Sequence, residues 1–289
     1  MGFFSNLFAK KKPPAAPVPE PIPPELDNIL RDYAKETSLP CITFTPKSGG
    51  ATIFSCKFGG SPYLPPDFEY PCFQKDNGES KPLRLLAQLN FEELPRLPDF
   101  PDKGILQFYI ADGYDDVLGL DFDNPTSGKG FRVIYHENVI RDESALQAPP
   151  DFEDDEFPIQ GEYTLDAKLS ELPMNSNDFR FDEQFMEVYK RYIPTEKRFV
   201  NLPGSYSDKI YDFLGGWGHH IGGYPAFTQS DPRDAGGWED YTILLLQIDS
   251  DSKDNSIMWG DCGVANFFIS PECLKNRDFS NVLYNWDCY

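Results

Sequence analysis

Basic residues and histidines are scarce in this chain. Lys and Arg number 26 against 47 Asp and Glu, the formal charge is −21, and three histidines occur in 289 residues. Phosphate backbones are held by clustered cations that release counterions, so this balance excludes nucleic acid as an expected partner. It leaves a basic protein as the partner that such a field would attract and steer. Long apolar runs are absent, so no segment reaches the roughly 20 residues of a bilayer-spanning helix. The cysteines (Cys41, Cys56, Cys72, Cys262, Cys273 and Cys288) form no CxxC pair, and no secretory signal precedes them. A reduced, cytoplasmic chain is the expectation, with no metal or disulfide to staple it. No G-x-S-x-G elbow, Walker loop, zincin helix or nucleotide-binding glycine pattern is present, and no cofactor is expected.

What the chain has instead is self-similarity. Leu85-Leu86-Ala87-Gln88-Leu89-Asn90 answers to Leu244-Leu245-Leu246-Gln247-Ile248-Asp249. Gly104-Ile105-Leu106-Gln107-Phe108-Tyr109-Ile110 answers to Gly263-Val264-Ala265-Asn266-Phe267-Phe268-Ile269, and the spacing from Gln88 to Gln107 equals that from Gln247 to Asn266. Upstream, Gly59-Gly60-Ser61-Pro62-Tyr63 matches Gly222-Gly223-Tyr224-Pro225-Ala226; downstream, Val133-Ile134-Tyr135 matches Val282-Leu283-Tyr284. These segments are short, rich in β-branched and aromatic residues, and bounded by Gly, Pro, Asn and Asp, as strands are. Repeated units bury their apolar faces against each other. The expected fold class is therefore α+β and mostly β: two duplicated antiparallel sheet-forming repeats with packed helices, related by a pseudo-twofold. Residues 25–289 form this body, with repeat one at about 41–140, a helical and acidic connection at about 141–214, and repeat two at about 215–289.

Helical periodicity marks three segments. Leu26, Ile29, Leu30, Tyr33 and Ala34 share a face and run up to Leu39-Pro40; Phe181, Phe185, Val188, Tyr189 and Tyr192 share another; Ser207–Leu214 runs up to Gly215-Gly216. Residues 1–24 differ in kind. Phe3, Phe4, Leu7 and Phe8 stand next to Lys10, Lys11 and Lys12, a pairing that suits weak peripheral contact with the inner face of a membrane, and a proline-rich spacer follows.

Candidate chemistry gathers at a few points. His219 and His220 lie in a glycine-rich stretch, but neighbours on an extended chain point to opposite faces and make a poor metal pair. Gln88 and Gln247 sit in apolar strands, where a buried amide must find partners in the backbone or form the polar floor of a cleft. Trp259 and Asp261 lead to Cys262, so a hydrolase could use His219 or His220 with Asp261 and Cys262. A small-ligand module could use Tyr63, Gln88, Tyr224, Gln247 and Trp259 in a cleft between the repeats. Two acidic stretches, Asp112, Asp115, Asp116, Asp121, Asp123 and Asn124, then Asp249, Asp251, Asp254 and Asn255, depart from calcium-loop spacing and read as exposed turns. The repeats also differ: His219 and His220 precede the second Gly-Gly turn, Lys57 and Phe58 the first. Function is expected where they diverge.

The two Gly-Gly-x-Pro turns, the Leu-Leu-Ala-Gln-Leu-Asn strand, Gly104-Ile105-Leu106-Gln107-Phe108-Tyr109 and Trp259-Gly260-Asp261 together resemble the YwqG-like family of uncharacterised bacterial proteins. The likeness runs from about Glu25 to Tyr289. It implies a cytoplasmic bacterial protein with a duplicated α+β body, and it brings no reaction, cofactor or catalytic residue. The leading expectation is a non-catalytic binding or regulatory protein that sequesters a basic protein partner.

Overall fold

Continuous apolar runs, rather than alternating ones, make the strands of the main sheet, because most of them are covered on both faces. In the computed structural model, residues 21–75, 77–152, 156–195, 197–234, 237–251 and 256–289 are described. The strands are β1 (Leu39–Ser48), β2 (Lys57–Gly59), β3 (Cys72–Gln74), β4 (Ser80–Pro82), β5 (Arg84–Asn90), β6 (Ile105–Ile110), β7 (Phe131–His136), β8 (Glu162–Leu172), β9 (His219–Gly222), β10 (Ile243–Asp249), β11 (Val264–Ile269) and β12 (Val282–Asp287). The α-helices are α1 (Leu26–Thr37), α2 (Phe181–Tyr192), α3 (Gly204–Leu214) and α4 (Pro271–Lys275). The membrane-contact residues Phe3 to Lys12 lie outside the described residues, as do Asp254 and Asn255.

Ten strands form one antiparallel sheet in the order β12-β11-β10-β9-β1-β8-β2-β5-β6-β7, and β3 pairs with β4 alone. Two groups of four strands thus flank a central β1–β8 pair. The sheet curls until its ends face one another, making a near-barrel. Phe108 on β6 meets Phe267 on β11 at 5.0 Å between ring centres, and Phe131 on β7 meets Tyr284 on β12 at 5.3 Å. Outside this main core, Phe73, Leu83, Leu85 and Tyr109 pack over one group, and Phe227, Leu244, Phe268 and Leu283 over the other. That double cover explains why every residue of β6 and β11 is buried.

The reading of residues 141–214 as a helical connection needs correction, because the stretch contains β8, the longest strand, and ten residues of β1 pair with it. β8 alternates and is half-exposed, with Leu169 in solvent, so it lacked the apolar density of its neighbours. The three expected helices are present, and α1, α2 and α3 enclose a separate core of Tyr33, Phe181, Phe185 and Ile210. A buried ionic cluster ties the entry of α2 to the second strand group. Arg233, fully buried, reaches Asp231 at 2.6 Å and Asp178 at 3.1 Å, while Asp178 also takes Arg180 at 2.7 Å. Burial alone would raise the Asp178 carboxyl, but the bonds from Arg180 and the charge of Arg233 outweigh it and hold it below its ordinary range.

Candidate functional site

The matched amides occupy matched places in the two strand groups. In the first, the Gln88 Oε1 accepts from Tyr63 N (2.8 Å), its Nε2 donates to the carbonyls of Ile53 (2.9 Å) and Ser55 (3.1 Å), and Gln107 Nε2 donates to Tyr63 O (2.8 Å). In the second, Gln247 Oε1 accepts from Ala226 N (2.7 Å), its Nε2 donates to the carbonyls of Gly216 (3.0 Å) and Gly218 (2.8 Å), and Asn266 Nδ2 donates to Ala226 O (2.9 Å). Each pair clamps both backbone groups of one residue after a Gly-Gly-x-Pro turn. The turn needs glycine: Gly59 sits at φ +62°, where a Cβ would collide with the Gly161 carbonyl, and Gly222 at φ +69°, where it would come within 2.9 Å of Pro40 O. Gln88 and Gln247 therefore fix loops within their own groups and do not share a cleft floor.

The registers also correct one pairing. Lys57 lies opposite Gln88 and His220 opposite Gln247, so the counterpart of His220 is Lys57 and that of His219 is Cys56. Hydrogen bonds agree: Asn90 N donates to Cys56 Sγ at 3.1 Å, as Asp249 N donates to His219 Nδ1 at 3.2 Å. Lys57 and His220 are both fully buried, and each turns to a backbone carbonyl, that of Thr52 (2.9 Å) and that of Tyr224 (3.1 Å). Burial lowers the Lys57 ammonium from its usual value, and it holds His220 at about 4. The divergence that bears on chemistry is thus Cys56 and Asn90 in one group against His219 and Asp249 in the other.

His219 accepts a hydrogen bond at Nδ1 from Asp249 N, so its ring proton sits on Nε2. Burial holds its pKa at about 4, against the pull of Asp251, which leaves it neutral near pH 7. Asp249 accepts from Gly218 N (2.8 Å) and Ser250 N (2.8 Å), yet burial outweighs these bonds and raises its carboxyl. Next to this pair the C-terminal turn of α3 presents aromatic rings. Tyr211, 41% exposed, lies 6.4 Å from Trp217, and burial raises its hydroxyl against a hydrogen bond with Trp217, with smaller pushes in the same direction from Tyr289, Asp249 and Asp212. Tyr289 is 75% exposed, and its backbone N–H donates to Asp261 O at 3.2 Å. Tyr289, Asp249 and Asp212 thus all lie within electrostatic reach of the Tyr211 hydroxyl.

The other expected site residues divide between core and surface. Tyr63, Tyr224 and Trp259 are buried: the Tyr63 hydroxyl accepts from Ile140 N (2.9 Å), the Tyr224 hydroxyl donates to Thr37 O (2.6 Å), and the Trp259 ring packs on Trp286 at 6.0 Å. Asp261 and Cys262 are exposed, and among the described residues no hydrogen bond joins either histidine to them. Among the described residues no group of three or more His, Cys, Asp or Glu is placed to hold a metal ion. Asp112 is buried against Lys81 at 2.7 Å, and Asp121 meets Lys129 at 3.2 Å. Two features had no signal in the sequence: the Arg233 cluster, and two arginines, Arg132 and Arg277, that line one cavity and form no ion pair among the described residues.

Residues 56–288 match the family described as Domain of unknown function (DUF1963), and the chain belongs to that family. No curated protein matches it. The matched stretch contains both strand groups and β8, while α1, β1 and the loop carbonyls of Thr52, Ile53 and Ser55 precede it and Tyr289 follows it. Among the described residues no helix is long and apolar enough to cross a membrane.

Proposed function

We propose that the protein is a non-catalytic binding protein that captures a basic segment of a partner protein on the surface formed by Tyr211, Trp217, Tyr289 and the carboxylates of Asp212, Asp249 and Asp261. The observation that carries this reading is the exposure of the Tyr211 and Tyr289 rings among carboxylates, in a chain of charge −21. Aromatic faces attract Lys and Arg, carboxylates accept their N–H groups, and the overall field speeds encounter. His219, held neutral near pH 7, adds no competing cation.

The test separates this surface from unspecific attraction. A labelled peptide alternating Arg, Lys and Gly is titrated at low and moderate salt against the full chain and against Tyr211→Ala/Tyr289→Ala, which keeps the charge. Losing two cation–π contacts of about 0.5–1 kcal/mol each predicts binding weaker by roughly fivefold or more at both salts. Equal binding by the double variant would reduce the interaction to net charge and sink the proposal.

We infer further that the two strand groups arose by duplication about a pseudo-twofold between β1 and β8, and that the YwqG-like resemblance, with its cytoplasmic bacterial setting, names this family. The support is the mirrored strand order, the matched amide clamps, and a register shift after Leu85 in β5 and after Leu244 in β10.

A further inference from the structure

A cavity of about 430 Å³ opens where the two ends of the curled sheet meet. Its walls come from both strand groups, with Phe131, Arg132 and Tyr135 on one side and Arg277 and Phe279 on the other, and among the described residues no Asp or Glu lines it. This is unusual for a chain in which acidic residues outnumber basic ones 47 to 26. Arg96, Arg141, Arg180, Arg191, Arg198 and Arg233 all sit on carboxylates. Arg132 and Arg277 form no ion pair among the described residues and are held by carbonyls instead. Arg132 NH1 donates to Phe131 O at 2.7 Å, and Arg277 NH1 to Asp99 O at 2.6 Å and Leu274 O at 3.0 Å. Carbonyls fix a guanidinium without cancelling its charge, and each guanidinium has five N–H donors, so donors remain on both.

The backbone around them is shaped to the same end. Arg277 follows α4 at φ +58°, a left-handed position that favours glycine. Gly128, at φ +62°, lies in ordinary contact with Arg132, a Cβ there being 3.4 Å from its NH1. Ser280 donates its hydroxyl proton to Asp278 at 2.5 Å. Tyr135 and Phe279, 5.3 Å apart, provide an apolar wall. Two fixed, unneutralised forks beside aromatic rings suit an oxyanion with an apolar body.

We infer that this cavity binds a small organic phosphate, its phosphate group between Arg132 and Arg277 and its apolar body against Phe279 and Tyr135. The volume lies within the range of small-molecule sites, about 300–1,000 Å³. The site shares no residue with the Tyr211 surface and does not rest on the reading given for it.

Calorimetric titration of the full chain with phenyl phosphate, inorganic phosphate and benzoate tests it. Phenyl phosphate should saturate one site and bind more tightly than either of the others. Arg132→Gln should weaken it at least tenfold and Arg132→Lys by less, since the charge stays and the fork is lost. Tyr211→Ala/Tyr289→Ala should bind it unchanged. Absence of saturable binding at millimolar phenyl phosphate, or benzoate binding as tightly, would overturn the assignment; so would unchanged affinity in both folded Arg132 variants.

Discussion

Gln88 serves four partners at once, accepting from Tyr63 N and Gln107 Nε2 and donating to the carbonyls of Ile53 and Ser55. Replacing it with Leu keeps the approximate volume and removes the partner of all four. Each orphaned buried group is worth about 1–3 kcal/mol and such terms are not additive, so Gln88→Leu should cost at least about 3 kcal/mol. Urea unfolding would read this as a lower midpoint at constant slope, and a loss under about 1 kcal/mol would mean that the amide is not what holds the turn. That these glutamines needed partners was legible in the sequence, because an amide inside an apolar run cannot go unpaired. Which carbonyls they take was not, since residues 53, 55, 216 and 218 lie in loops without periodicity. Arg132 and Arg277 were equally illegible: their shared property is the absence of a carboxylate in space, and no local pattern encodes that.

Strands with dense apolar runs were readable as elements, and β5, β6, β10 and β11 fall within a residue of the segments read from the sequence. The three helices followed from their 3.6-residue periodicity. The central pair escaped because β1 and β8 alternate and are partly exposed, and neither belongs to the matched segments. Yet β1 pairs over ten positions with β8 and four with β9, and it is the strand through which the two groups join. A chain starting at residue 50 would keep the whole stretch matched to the family, 56–288, and lose α1 and β1. It would expose the unpaired edges of β8 and β9, which are templates for aggregation, and strip Tyr33 from the helical core. Such a chain should elute as aggregates and unfold without a cooperative transition. A soluble monomer with the full-length urea midpoint would show that the two strand groups cohere without β1.

At the scale of the molecule, the histidines set the response to mild acid. His136, His219 and His220 are each held at about 4 by burial, against about 6.5 when unfolded. Between those values the unfolded chain binds more protons than the folded one, so the stability is fully present above pH 6.5 and is lost as pH falls toward 4. Fully buried His220 alone contributes a slope of up to about 1.4 kcal/mol per pH unit in this window, and the other two add in the same direction. Other groups work against them. Falling pH relieves the repulsion of a −21 chain, and burial raises the carboxyls of Asp249 and Asp287, whose protonation then favours the fold. Both of these effects belong mainly to the carboxylate range, nearer pH 4, so from pH 6.5 to 5 the histidines should prevail. Urea midpoints should therefore fall steadily across that interval, and His220→Gln, which can still donate to Tyr224 O, should flatten the slope by about one proton. A midpoint that holds level or rises between pH 6.5 and 5 would mean that the charge of the whole surface, rather than its three histidines, governs stability in acid.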